Sequence, residues 1–540
     1  MALRTGRVII AKNIKLDKSY KNVIDYTEAN MLNLVIANKV SESTSCSFLK
    51  PGENVIDTSF TYADCLKCNY IALQNPSYSN KWFFAFIDEV EYINNGTTRI
   101  HYTIDEFSTW FDYWQKQTCF VVREHVNDDT VGANTVPEML ETGEYICNSH
   151  LKADSMGQQV NTLSFIMAST CEPIAGEAKD TVAPTGKYNG IYTGLTYYRY
   201  DTTNAIDIIL DLMAQNSKTN AINGIFLAPQ WLCPFKANGE HNEVANSSSP
   251  ETFTLSIDRQ NTLNGYTPKN NKLLVSPYNY LIVSNNIGQN AILHYEKWST
   301  QSITFIVRGV LNPGCSINII PTNYNGCEYS DNDSITLGKF PICNFQNDMY
   351  TNWLTQNSIN IFGMDINTDD LLFFGSMINA STSLLSDIAN KDVMGSTSDI
   401  SSGMVGSIQA MMSRKQHNMI SPTVRGQLNA ADVNVASGNN TFHFYKMSIK
   451  AEYAHIIDEY FSQKGYQINR VKIPNTTGRT YFNYVQIADK DCIAYSNLTN
   501  KSVPASSLEI INNIFRRGVT IWHDHANIGN YSLNNTIIQQ

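Results

Sequence analysis

The chain has 540 residues, of which 42% are hydrophobic and only 16% charged, and its net charge is -10. This length exceeds what one hydrophobic core serves, so we expect two to four domains of about 100 to 200 residues. The acidic balance argues against a protein that grips nucleic acid through clustered Lys and Arg, while the many Asn, Ser, Thr and Tyr residues favour an oligomeric, strand-rich protein.

We expect no export signal at the beginning of the chain. Its first ten residues contain no apolar run of signal-peptide length, so we expect synthesis and retention in the cytoplasm. Eleven cysteines, an odd number spread from Cys46 to Cys492, then predict free thiols in a reducing compartment. The chain also lacks the roughly 18 consecutive apolar residues of a membrane-spanning helix.

A β-hairpin is the clearest signal in the first 125 residues. The strand-like run 82–87 leads to Asn95-Gly96, after which 97–104 alternates in character. An Asn-Gly step between two such runs predicts a tight turn, because both residues tolerate a positive φ. One apolar helical face is predicted next from the i, i+3, i+4, i+7 spacing of Phe107, Trp110, Phe111 and Trp114.

An antiparallel meander is predicted over 271–311. Residues 280–283 and 292–295 flank a turn, and 302–307 supply a third strand.

Residues 355–437 differ in amino-acid composition from the rest of the chain. The run 371–386 has no charge, and apolar, small and flexible residues continue beyond it without a clean period of 3.6 or 2.0. Two interpretations stay open at this point: a long mobile loop with membrane affinity, or a pair of amphipathic helices in a bundle interface.

The last hundred residues are regular again. A helix that ends at Gly465 is predicted from an apolar face formed by Tyr453, Ile456, Ile457, Tyr460 and Phe461, and a strand follows over 466–473. Ser506 and Glu509 have capping-box spacing at the start of a second helix, which Gly518 ends before a strand at 519–522.

Candidate chemistry along the chain is sparse. Cys65 and Cys68 have the spacing of half a zinc site, but no second pair follows, so two ordinary thiols are the better interpretation. His523 and His525 lack a third ligand, which favours a turn or interface role. The acids Asp88, Glu89 and Glu91 beside the hairpin turn are read as a solvated face and not as a glycosidase pair. We therefore predict no catalytic residues, no metal and no cofactor.

Several strings, in the same order along the chain, resemble a known protein family. They are 80–86, 88–92, 95–98, 104–105, 109–110, 121–126, 175–178, 306–309, 450–453, 464–472, 482–486, 518–523 and 527–532. Together they resemble the tail knob, or distal tail tube, protein of small, protein-primed, short-tailed bacteriophages (podoviruses), whereas residues 180–270 carry no clear likeness.

The resemblance implies a virion structural protein and not an enzyme. It implies β-barrel tail-tube-like domains in a hexameric hollow tube at the distal end of the tail, which contacts the lower collar or proximal tube and lets viral DNA pass without sequence recognition. It also implies a hydrophobic loop that plugs the lumen and acts on the host membrane during genome ejection. By position, the apolar residues of that loop are Leu371, Leu372, Phe373, Phe374, Met377, Ile378, Leu384, Leu385, Met404, Val405, Ile408, Met411 and Met412.

We accordingly predict four regions. Residues 1–160 form an N-terminal tube-like β domain, 161–350 one or more middle β-rich domains, and 351–440 the inserted loop. Residues 441–540 form a C-terminal α/β segment that completes the N-terminal domain. The alternative function is a receptor-binding or cell-wall-degrading phage tail protein.

Overall fold

The computed structural model describes the chain on both sides of one long segment. The described residues are 6–46, 54–76, 79–156, 160, 162–173, 183, 186–216, 218, 221–237, 242–286, 288–313, 315–325, 335–338, 340, 342–344, 440–488, 493–495 and 503–538. Strands predominate in them, so the prediction of a mainly β protein with some α structure is confirmed. The chain divides into two compact units.

The strands are short and numerous. In chain order they are β1 (Gly6–Ala11), β2 (Asn22–Ile24), β3 (Lys39–Cys46), β4 (Val55–Thr58), β5 (Tyr70–Asn75), β6 (Lys81–Asn94), β7 (Thr97–Ile104), β8 (Trp114–Lys116), β9 (Cys119–Glu124), β10 (Tyr145–Lys152), β11 (Leu163–Ser169), β12 (Lys187–Tyr188), β13 (Ile191–Tyr192), β14 (Thr196–Tyr200), β15 (Ile222–Pro229), β16 (Glu251–Ile257), β17 (Asn279–Ser284), β18 (Asn290–Leu293), β19 (Ile303–Val310), β20 (Ser316–Thr322), β21 (Ile335–Gly338), β22 (Ile342–Asn344), β23 (His443–Ile449), β24 (Tyr466–Lys472), β25 (Phe482–Ile487), β26 (Ile493–Tyr495) and β27 (Val519–Trp522).

The α-helices of the described residues are fewer. They are α1 (Glu28–Ala37), α2 (Tyr62–Cys65), α3 (Glu106–Trp110), α4 (Thr203–Gln215), α5 (Ala451–Lys464) and α6 (Ala505–Arg517).

Unit 1, residues 1–143, 265–278 and 450–540, contains a six-stranded antiparallel sheet in the order β3-β1-β5-β6-β7-β4. Side chains alternate along β1, so Val8 and Ile10 join one core cluster and Ile9 and Ala11 the other. All four are fully buried. The middle of this sheet is therefore covered on both faces, which explains why β1 is apolar almost throughout.

The predicted β-hairpin is confirmed as β6 and β7, but the turn is made differently. Neither Asn95 nor Gly96 has a positive φ. The side-chain oxygen of Asn94 instead accepts the Gly96 N–H at 2.8 Å. An Asx-type hydrogen bond thus provides what a left-handed backbone was expected to provide.

The predicted aromatic helix is shorter than expected. α3 ends at Trp110, a single 3-10 turn follows, and Trp114 begins β8. The rings nevertheless pack together, since Phe107 lies 5.8 Å from Phe111 and 5.6 Å from Trp114 between ring centroids. Aromatic packing, and not a continuous helix, brings these side chains together.

A second sheet of unit 1 combines strands from both ends of the chain. Its order is β2-β27-β25-β9-β24, with β2 parallel to β27 and the other pairs antiparallel. Phe482 and Trp522 from its C-terminal strands share a core cluster with Tyr70 and Phe84 of the six-stranded sheet. The N-terminal and C-terminal segments of unit 1 therefore share one core.

The C-terminal elements match their predictions in position but not in detail. α5 ends at Lys464 and is capped by Gly465, whose φ is +65°, and β24 and β27 follow as predicted. The predicted apolar face of α5 is partly wrong, because Ile456 is 63% exposed while Ala454 and Asp458 are buried. The capping box of Ser506 with Glu509 is also wrong, since α6 begins directly after Pro504 without a side-chain cap.

Unit 2, residues 144–264 and 279–449, contains a β-sandwich. One sheet has the order β10-β23-β17-β18 and the other β16-β19-β20-β21. The buried residues Ile303, Phe305 and Val307 alternate with less buried ones, and the ring of Phe305 lies 5.3 Å from that of Phe444 in the opposite sheet. A third sheet, β14-β11-β15-β22, belongs to the same unit and packs with α4.

The predicted meander is only partly correct. β17 and β18 pair antiparallel as expected, but the third strand, β19, pairs with β16 and β20 in the opposite sheet. After β18 a 3-10 turn and a bridge between Trp298 and Tyr324 redirect the chain. Alternation along β19 reveals an inward face but not which sheet carries it.

Candidate functional site

The residues predicted to plug the lumen lie outside the described residues. They are Leu371, Leu372, Phe373, Phe374, Met377, Ile378, Leu384, Leu385, Met404, Val405, Ile408, Met411 and Met412. The structure describes the strands that flank them, β22 and β23, both of which belong to unit 2.

β23, the strand after this segment, is an inner strand of its sheet. It lies between β10 and β17 and makes ladder hydrogen bonds to both. Just before it, Asn440 and Thr441 are fully buried, and within the described part of the chain their side-chain nitrogen and oxygen atoms have no hydrogen-bond partner. Burying such polar atoms unpaired costs free energy, which sets these two positions apart from the well-packed Phe442 and Phe444.

A histidine pair lies where β23 begins. Nε2 of His150 on β10 is 2.9 Å from Nδ1 of His443, and the two rings are stacked. One of these nitrogens must carry the proton that the other accepts, so the pair holds a proton between two strands.

Unit 1 contains a group of buried carboxylates that fix the segment 265–278. The Asp458 carboxylate accepts hydrogen bonds from the Tyr266 hydroxyl at 2.8 Å, from the Lys269 N–H at 2.7 Å, and from both the backbone and the side-chain amide of Asn270. Because every oxygen of this carboxylate is occupied, a charged side chain on the inner face of α5 is tolerated.

Glu138 is the centre of a second buried contact. Its carboxylate accepts from the Nζ of Lys272 at 2.5 Å, from the Arg123 guanidinium, and from the Gln467 N–H at 2.9 Å. Burial lowers the pKa of Lys272, while the Glu138 carboxylate acts in the opposite direction. The two cations and one anion therefore join β9, β24 and the segment 265–278.

His125 is fully buried beside this group and is held in the neutral form. Its Nδ1 accepts the Tyr484 N–H at 2.7 Å, so its Nε2 donates to the Ser462 carbonyl oxygen at 3.1 Å. Burial, assisted by the positive charge of Arg479, lowers the pKa of His125 to about 3. The side chain is a structural hydrogen-bond bridge between β25 and α5.

The acids beside the hairpin lie along one strand and do not face each other across a cleft. Asp88 accepts the Thr103 hydroxyl and pairs with Lys18 at 2.5 Å, and Glu91 lies 3.6 Å from Arg99. Such an arrangement holds no sugar between two carboxylates.

The candidate metal residues have other neighbours. Cys65 and Cys68 are buried, and burial raises both thiol pKa values to about 11. His523 contacts Asp25 at 2.6 Å, whereas His525 accepts the Lys15 N–H at 3.0 Å. Among the described residues, no cluster of three His, Cys, Asp or Glu side chains is suited to a metal ion.

The thiol prediction needs one correction. Cys119, buried at the start of β9, is disulfide-bonded, while Cys46, Cys65, Cys68, Cys147, Cys171, Cys233 and Cys315 are free. The spacing of cysteines along a chain does not show which of them approach each other in space, so the expectation of free thiols throughout was wrong at this position.

No helix in the described ranges combines the length and apolar character needed to cross a membrane.

Comparisons with known proteins point to one kind of virion component. Residues 242–536 match the family of the Bacillus phage phi29 tail knob protein gp9, C-terminal domain, and residues 4–115 match the N-terminus of caudoviral major tail proteins. The tail knob protein gp9 of Bacillus phage PZA is 27% identical and that of Bacillus phage B103 25% identical, each over 98% of both chains. The solved tail knob protein gp12 of bacteriophage C1 shares the fold, with a TM-score of 0.62 and 13% identity over 99% of this chain and 100% of that one.

Proposed function

Because the chain belongs to the family of phage tail knob proteins represented by gp9 of Bacillus phage phi29, we propose that six copies of it close into a hollow tube at the distal end of the tail. Viral DNA leaves the virion through this tube, which joins the lower collar or proximal tube above it. The observation that carries the proposal is the likeness to tail knob proteins over 98% of both chains. The role is structural, without catalysis.

The charge of the chain supports a conduit. Affinity for the DNA backbone grows with the number of phosphates that Lys and Arg neutralise. The net charge of -10 agrees with a tube wall that does not hold the backbone, along which the DNA slides without sequence recognition.

The segment 355–437 closes the tube before infection in this proposal. The run 371–386 has no charged residue, and six copies of it around one axis bury their apolar side chains against one another. On opening, the same surface is offered to the host membrane. The charges at Asp387, Lys391, Asp392, Asp399, Arg414 and Lys415 favour a water-facing position over the bilayer centre.

A deletion tests the role of this segment. A variant lacking residues 360–430 should assemble like the wild type but should not release a dye from liposomes that the full chain permeabilises. If the variant still causes the same leakage, the membrane role is wrong. Failure of the variant to assemble, with the wild type assembled, would show instead that the segment builds the ring.

A further inference from the structure

Two exposed arginines form a basic surface in unit 1, and among the described residues no carboxylate pairs with them. We call basic cleft the open depression lined by Ile487, Ala488, Asn513, Arg516 and Arg517, at the C-terminal end of α6. Arg516 and Arg517 are exposed. Arg516 donates only to the Asn513 side-chain oxygen, at 3.1 Å, so neither guanidinium is neutralised by a carboxylate of the described residues.

Two lysines extend the basic surface from the cleft. Lys464 lies with its Nζ 4.7 Å from the centre of the Tyr484 ring, and the hydroxyl of that tyrosine packs against Gly518, next to Arg517. Burial lowers the pKa of Lys464, and the nearby charge of Lys21 lowers it further. Like charges gathered in this way repel one another, so this surface favours an acidic partner.

An acidic surface in the same unit provides a complement. β5 pairs with β6 only as far as Phe86, so from Asp88 to Asn94 the β5-side edge of β6 has no strand beside it among the described residues. We call 88–94 the acidic edge. On this edge Asp88 pairs with Lys18, and Glu91 shares Arg99 with Asp57 of β4. Glu89 is exposed between them, so the carboxylates outnumber the cations.

The acidic edge also ends in exposed apolar side chains. Tyr92 is 53% and Ile93 39% exposed, although both are large. In the basic cleft Ala488 is exposed beside the two arginines, whereas Ile487 is buried. The charges of the two surfaces are therefore complementary, as they are in specific subunit contacts.

We propose that the acidic edge of one copy docks in the basic cleft of the next copy. This inference rests on the ring proposed above and adds which surfaces close it. The two surfaces lie on different sheets of unit 1, so the contact is heterologous, and repetition of a heterologous contact generates a ring when the rotation closes. It also places opposite charges together in an assembly whose subunits, at -10 each, otherwise repel.

A charge exchange on the full chain tests the contact. Arg516→Glu with Arg517→Glu makes the cleft acidic, and Glu89→Lys with Glu91→Lys makes the edge basic. Each double variant alone should lose rings, because like charges then meet at every contact. An equimolar mixture should regain them as alternating rings, because each edge again meets a cleft of opposite sign. The readouts are analytical ultracentrifugation and negative-stain electron microscopy.

The outcomes separate the contact from the ring itself. Rings in each variant alone, or no rings in the mixture, would overturn the docking contact. A wild type that forms no rings would refute the proposed function instead. The control Lys12→Glu with Lys297→Glu changes the net charge by the same amount as the cleft variant, at exposed sites, and should keep its rings. If it loses them, net charge explains the loss in the cleft variant and the contact is wrong. Far-ultraviolet circular dichroism confirms that each variant is folded.

One rival partner is covered by the same variants. If the cleft held the phosphates of DNA, the Arg516→Glu, Arg517→Glu variant would keep its rings and lose binding of a short duplex measured by fluorescence anisotropy. That result would overturn the subunit contact.

Discussion

The Nζ of Lys272 lies 2.5 Å from the Oε1 of Glu138, and each side chain is 2% exposed. The pair fixes the short segment 265–278 within unit 1, although unit 2 precedes and follows that segment in the chain. A buried ion pair of this kind is strongly disturbed by removing one partner, since the other is left as an uncompensated buried charge.

Glu138→Gln should therefore destabilise unit 1 severely. The variant leaves the charges of Arg123 and Lys272 without their anion, at a cost of about 3 to 5 kcal/mol. Urea unfolding followed by tryptophan fluorescence measures the change. The control is Glu459→Gln, which removes an exposed carboxylate and should change stability by less than about 0.5 kcal/mol. If Glu138→Gln and Glu459→Gln are equally stable, the buried carboxylate of Glu138 contributes little to stability.

His125 should make the protein sensitive to acid in a defined range. Its pKa in the folded state, about 3, lies far below the ordinary value of 6.5. Between these two pH values His125 is therefore protonated in the unfolded chain and neutral in the folded chain. Its contribution to stability is complete above about pH 6.5 and falls by about 1.4 kcal/mol per unit as the pH drops towards 3.

The comparison that isolates this effect uses His125→Gln. The variant should be less stable than the wild type at pH 7.5, and the difference should shrink on acidification to pH 4.5, as measured by thermal unfolding at several pH values. The control is His455→Gln, at an exposed histidine, and its stability should differ from that of the wild type by the same amount at every pH. If the difference in stability between the wild type and His125→Gln is the same at every pH, the pKa of His125 is not lowered by folding.

Thr441→Val should stabilise the protein or leave it unchanged. The Thr441 hydroxyl is buried and has no hydrogen-bond partner among the residues that the structure describes, and valine fills the same volume without the polar atom. The expected gain is about 1 kcal/mol in the free energy of unfolding, read from the thermal midpoint. Thr520→Val, at a buried threonine whose hydroxyl lies 3.4 Å from the Tyr531 hydroxyl, is the contrast and should destabilise. If Thr441→Val lowers the free energy of unfolding as much as Thr520→Val does, the Thr441 hydroxyl has a hydrogen-bond partner.

Gly465→Ala should be far more damaging than Gly529→Ala. Both glycines have a positive φ, but a Cβ at Gly465 would lie 2.2 Å from the Glu124 carbonyl oxygen, whereas nothing lies within 4 Å of one at Gly529. The Gly529 change costs only the backbone strain of about 1 kcal/mol, and the Gly465 change must also displace β9. Similar thermal midpoints for the two variants would contradict this packing.

The sequence predicts the local elements of this fold better than their partners. The hairpin of β6 and β7, the end of α5 at Gly465 and the strand at 519–522 follow from turn residues and periodicity, which act within a few residues. The sheet to which β19 belongs is set by contacts with β16 and β20, and no pattern within β19 specifies it. Long-range pairing is therefore where the sequence interpretation failed.

The buried polar groups were missed for the same reason. Asp458 interrupts the apolar face of α5, and in the sequence it looks like an exposed acid. Its partners, Tyr266 and Asn270, lie almost two hundred residues earlier in the chain. The one local signal was its position beside Ile457 and three residues before Phe461, on the side of the helix that packs inward.

Negative-stain electron microscopy of the purified full chain, next to the variant lacking residues 360–430, tests the central claim most directly. We expect six-fold rings in both samples, with density filling the centre of the full-length ring and an open centre in the deletion variant. A monomeric particle without any central opening would contradict the account.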